Sequence, residues 1–82
     1  MRKVDPDYSA KARQAKIEGV VVLSIDIDVT GHPVNPRVVH SLGYGLDEKA
    51  IEAVRKWKFE PARQDGKPIQ LTVTVEVNFR LL

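Results

Sequence analysis

The chain has 82 residues, of which 43% are hydrophobic and 29% charged, the ordinary usage of one small globular domain with a modest core. It contains no cysteine, which excludes a disulfide framework, a thiolate zinc site and a cysteine nucleophile. Its longest apolar run, Val20-Val21-Val22-Leu23, is far short of the roughly 20 residues of a membrane helix. The net charge of +2 is unevenly spread: residues 1–16 and 55–82 are basic, and residues 17–54 are acidic. The densest basic patch, Arg55-Lys56-Trp57-Lys58, reads as cations opposing the negative end of a helix dipole. With neither a long basic face nor an aromatic platform, nucleic acid is not expected as a partner. Met1-Arg2-Lys3 runs into Asp5-Pro6-Asp7 and not into an apolar stretch, which is not the pattern of a secretory leader.

In chain order, Tyr8 to Lys16 is rich in Ala, Lys, Arg and Gln and predicts a short helix, capped by Asp7 or Ser9 and closed by Gly19. The period then changes to two. Val21, Leu23, Ile25, Ile27 and Val29 predict the buried face of a strand, with Ser24, Asp26 and Asp28 on the opposite face. Thr30-Gly31-His32-Pro33 is a turn, and Val34 to Ser41 the returning strand, placed at a sheet edge because Pro33 and Pro36 have no ladder donor. A second helix opens near Leu46-Asp47-Glu48, with acidic residues suited to its first turn. Its stripe is Leu46, Ala50, Val54 and Trp57; Phe59 finishes it and Pro61 stops it. After a turn at Asp65-Gly66, seven apolar residues from Ile69 to Leu81 alternate with polar ones, predicting a final strand approaching 40 Å at about 3.3 Å per residue. The order helix, strand, strand, helix, strand implies an α+β domain: a three-stranded antiparallel sheet with both helices on its apolar face.

Little in this pattern carries chemistry. Asp26 and Asp28 could be paired carboxylates or cation ligands, but two outward carboxylates on a strand read as a solvated face. His32 reads as a turn residue and His40 as a packed or rim histidine, and no third ligand has a recognisable spacing. Gly43-Tyr44-Gly45 precedes a helix but matches no nucleotide motif, and Asp47-Glu48 would repel phosphate. The expectation is a non-enzyme without metal or cofactor. The final strand is the remaining candidate. The outward residues Gln70, Thr72, Thr74 and Asn78 are neutral and Glu76 is the only negative exception, so this stretch lacks the lysines that usually blunt an edge. Such an edge can accept an extended peptide as an added strand, or can be covered by a second copy of the chain.

The residues also carry a resemblance. Tyr8 with Ala10-Lys11-Ala12, the step Ile17-Glu18-Gly19 into a strand, the hairpin Asp28-Val29-Thr30-Gly31-His32-Pro33-Val34, and the helix from Leu46 through Trp57-Lys58-Phe59-Glu60-Pro61 resemble the TonB C-terminal domain family. Asp65-Gly66-Lys67-Pro68 and the alternating strand complete a match over residues 5–81, with the Trp57 to Pro61 block its most specific part. The resemblance implies a periplasmic module, residues 1–82, of a protein anchored in the inner membrane, with the anchor and a Pro-rich spacer upstream. Its partners would be the TonB box and plug of outer-membrane transporters, and, through the anchor, the inner-membrane proton-channel complex. The box would add to the last strand along Leu71, Thr72, Val73, Thr74, Val75, Glu76, Val77 and Asn78. Asp5, Pro6, Asp7 and Tyr8 match the Gln-Pro-x-Tyr stretch near the docked peptide, and Lys11 matches an often basic position that could meet the plug. Two positions depart from the family pattern: Ser9 replaces the usual Pro, and Asp5 stands where Gln is usual. The alternative use of the same fold is an adaptor or sensor domain of another envelope protein, without force transmission.

Overall fold

The computed structural model describes residues 4–81; Met1-Arg2-Lys3 and the C-terminal residue lie outside the described residues. Helix α1 (Ala10–Gln14) is followed by strands β1 (Gly19–Ile27) and β2 (Pro33–His40), helix α2 (Leu46–Arg55), a small hairpin of β3 (Ala62–Gln64) and β4 (Lys67–Ile69), and strand β5 (Leu71–Phe79). The main sheet is antiparallel throughout, in the order β2-β1-β5, so the central strand is β1 and both other strands are edges.

Ser9 caps α1, its hydroxyl oxygen accepting the Ala12 N–H at 3.1 Å. The helix is shorter than the expected span from Tyr8 to Lys16: Lys16 turns left-handed at φ +55°. Only Ala12 of its residues is buried, so little packing opposes fraying. Helix α2 buries Leu46, Ala50, Ala53 and Val54 and has Asp47 and Glu48 in its first turn. It stops at Arg55, before the expected Phe59, because the next residues are claimed elsewhere. Trp57 folds back into the core, and the Phe59 N–H donates to the Gly31 carbonyl at 3.0 Å. Gly31, at φ +89°, allows this: a Cβ there would lie 2.1 Å from the Phe59 oxygen.

The core joins Ala12, Val21, Leu23, Ile25, Leu46, Ala50, Val54, Trp57, Val77 and Phe79, which places both helices on one face of the sheet. Three sequence expectations are corrected here. The run from Ile69 to Leu81 is not one strand, because Ile69 pairs with Ala62 in the β3–β4 hairpin, and β5 begins only at Leu71. Val29 is not part of the buried face but 50% exposed, since β1 ends at Ile27 and the turn starts at Asp28. Asp26 does not lie on a solvated face; it is 9% exposed.

Candidate functional site

Strand β5 pairs with β1 along its full length, from Leu71 opposite Ile27 to Phe79 opposite Gly19. Because it is terminal in the sheet, every second residue directs its backbone N–H and C=O away from β1, over nine residues or about 30 Å. The strand has no proline and no lysine, and Glu76 is its one charged residue. The opposite edge is built differently. In β2, Pro33 and Pro36 remove donors, Asn35 is left-handed at φ +51°, and the pairing with β1 shifts register twice within eight residues. Prolines and bulges of this kind blunt an edge against further pairing. The sheet therefore has one blunted and one open edge.

The N-terminal segment lies against the second half of β5. Its anchors are the Trp57 indole N–H, which donates to the Val4 carbonyl at 2.8 Å, and Tyr8. The Tyr8 hydroxyl donates to the Ile17 carbonyl at 2.8 Å, and its ring meets Phe79 edge-to-face with centroids 5.6 Å apart. Burial pushes the Tyr8 phenol above its ordinary pKa, with Glu18 adding to the shift and Arg13 opposing it. Two clefts open between this segment and the strand. One, of about 150 Å³, lies between Val4, Asp5 and Pro6 on one side and Glu76, Val77 and Asn78 on the other, with Trp57. The second, of about 290 Å³, is lined by Asp5, Pro6, Tyr8, Asn78, Phe79 and Arg80. The structure thus brings Asp5, Pro6 and Tyr8 together with the end of β5. Asp7 and Lys11 are exposed and line neither cleft. Leu71, Thr72, Val73, Thr74 and Val75 form the part of the edge that lies outside these two clefts.

The helix-free face of the sheet carries a polar network that the sequence reading missed. Asp26 accepts the Thr72 hydroxyl at 2.7 Å, the Arg37 guanidinium at 3.0 and 3.4 Å, and the Asn35 amide at 3.2 Å. Arg37 also donates to the Ser24 hydroxyl and the Asn35 carbonyl. Hydrogen bonds from Arg37, then Thr72, then Asn35 hold the Asp26 carboxyl well below the usual carboxylate range, against the opposing effect of burial. Period-two alternation already put Ser24, Asp26 and Thr72 on polar faces; what it lacked was the pairing that sets Thr72 opposite Asp26. Asp28 does something local, accepting the Thr30 N–H and hydroxyl and the His32 N–H, which closes the β1–β2 turn. His32 is indeed a turn residue, and His40 is exposed at the end of β2.

A family model described as "Gram-negative bacterial TonB protein C-terminal" matches residues 4–81. The chain belongs to the TonB C-terminal family. It is 35% identical over 80 residues to Protein TonB of Vibrio cholerae, covering 96% of this chain and 33% of that protein. It is 38% identical over 77 residues to Protein TonB of Xanthomonas campestris, covering 93% and 34%. The chain therefore spans about a third of the length of these relatives. The solution structure of the Pseudomonas aeruginosa TonB CTD superposes with a TM-score of 0.79 at 28% identity, covering 99% of this chain and 83% of that one. The α+β architecture is thus that of a solved TonB C-terminal domain. In this TonB family member, the Trp57 to Pro61 block works as a structural tie, since Trp57 anchors residue 4 and Phe59 holds the chain to Gly31.

Proposed function

We propose that the chain is a periplasmic interaction module of a TonB-like energy transducer, and that it takes up the TonB box of an outer-membrane transporter as a strand added to β5. The observation that carries this reading is the asymmetry of the sheet: β5 is terminal and continuous, with no proline or register shift, whereas β2 is interrupted by both. In this reading the peptide follows residues 71–78, the ladder supplies affinity, and the clefts beside Asp5, Pro6 and Tyr8 receive its flank. Lys11, exposed beyond the clefts, faces the transporter's plug, and the exposed Asp7 belongs to the segment beside the docked peptide. The membrane anchor and Pro-rich spacer that the family resemblance places upstream link this unit to the inner-membrane proton-channel complex, whose energy is passed on as force. The bound peptide needs no chemistry from the domain, which acts as a mechanical connection and not as an enzyme.

The test is an NMR amide-shift titration of the isolated chain with extended peptides from transporter N-termini. Shifts concentrated on residues 71–78, alternating in size along the strand, are the expected result. A monomeric sample that shows no shift on β5 at millimolar peptide would sink the proposal.

A further inference from the structure

The two halves of β5 are held by different forces. Toward its end the strand is clamped by the core, with Phe79 only 1% exposed and Val77 buried. Toward its start the edge strand itself is less covered, although Ile25 and Ile27 beside it on β1 stay buried: Val75 and Val73 pack against the core but are only half-buried, and Leu71 is 44% exposed. The hydrophobic hold on the edge strand therefore fades along the part that lies outside the two clefts. The Asp26 network sits at this end. Thr72 lies directly opposite Asp26 on β1, and the carboxylate binds Asn35 and Arg37 of β2 with its remaining capacity. One side chain on the central strand thus ties together all three strands. The Arg37 side chain is 49% exposed, and an ion pair open to water on one side adds little stability, so what the network supplies is geometry.

We propose that Asp26 is a positioning residue for the docking edge: by accepting the Thr72 hydroxyl it holds residues 71–75 flat and in register for an incoming strand. This rests on the reading of β5 as the peptide edge and adds to it how the edge is kept ready. An edge ordered in advance spares the complex the ordering of its own backbone, so loss of the hold weakens binding without removing any contact to the peptide.

The test compares Thr72→Val, which keeps shape and β-branching but has no hydroxyl, with Thr72→Ser, which restores the donor. Asp26→Asn, which removes the charge and one acceptor, is a second variant. Hydrogen exchange is read residue by residue in the free protein. Affinity is read with one probe, a blocked seven-residue peptide of alternating Thr and Val carrying a terminal Lys. In Thr72→Val and Asp26→Asn, exchange at those amides of residues 71–75 that donate to β1 rises about tenfold or more while the β1-bonded amides of residues 77–79 stay protected, and the probe binds at least about fivefold more weakly; Thr72→Ser restores both. Unchanged exchange in Thr72→Val overturns the proposal, including when binding weakens, since Thr72 would then act by direct contact. Faster exchange with unchanged affinity overturns it equally, because the hold would then be structural only. If the wild-type chain fails to bind the probe or any transporter peptide, the docking reading itself falls, and the exchange data still show whether Asp26 holds the strand.

Discussion

Gly31 shows how one residue ties distant parts of the chain. Its left-handed backbone and missing Cβ let the Phe59 carbonyl approach, and the Phe59 N–H returns a bond to the Gly31 oxygen. Gly31→Ala combines an unfavourable φ with a backbone clash, and is expected to cost about 2 kcal/mol or more in a urea unfolding curve. Asp26 and Asp28 govern the acid side of the stability profile. Both are held below their ordinary range, Asp26 chiefly by Arg37 and Asp28 chiefly by the Thr30 hydroxyl. A carboxyl depressed by folding stabilises the native state fully above its unfolded value of about 3.9, and loses that contribution as pH falls toward the folded value. These two groups therefore contribute equally at pH 8 and pH 5, and a thermal-melt series should show Tm falling below about pH 4. In Asp26→Asn the plateau is lower and the acid fall shallower. None of this was visible in sequence, where Asp26 and Asp28 looked alike. The difference between them is made chiefly by Arg37, 11 positions later, and then by Thr72, which arrives 46 positions later in the chain.

At the scale of elements, the strands and the amphipathic helix were legible wherever one face is buried, because alternation and helical spacing directly record burial. β1 and α2 follow that rule closely. The end of α2 and the start of β5 were not legible, since a tertiary bond to Gly31 and a local pairing of Ala62 with Ile69 override the periodic pattern. The open edge was legible as neutral side chains without lysine. The walling of its second half by residues 4–8 was legible only through the resemblance, and the Trp57 bond that fixes it left no trace in periodicity. A proline scan across residues 72–75 separates the two sides of β5. At one parity proline removes a donor to β1 and the chain unfolds or loses much of its stability; at the other it removes a donor on the free side. Positions of the second kind should retain a native melting transition while losing peptide shifts in the titration. Equal behaviour at both parities would contradict an edge open on one side.

The whole molecule is long for its size, 49 × 20 × 14 Å, because the β3–β4 hairpin is a separate two-stranded unit and the core occupies only part of the sheet. Small domains have little stability to spare, and the polar network ties the three strands where the edge strand β5 is least buried. Under the proposed function, a transporter peptide and a second copy would compete for the same backbone groups of β5. Sedimentation of the chain should therefore show any dimer dissociating as an added strand peptide saturates, and a dimer that persists unchanged would place its interface elsewhere. The interruption of β2 also limits how many partners can be joined. With one receptive side, the domain has a valence of one: a strand taken up on β5 leaves no second side from which another chain could grow. Two copies meeting edge to edge end the series at two, and a captured peptide ends it at one. Under the proposed function, a pull passed through such a connector would reach a single partner, undivided, and copies of the chain would not polymerise through this sheet.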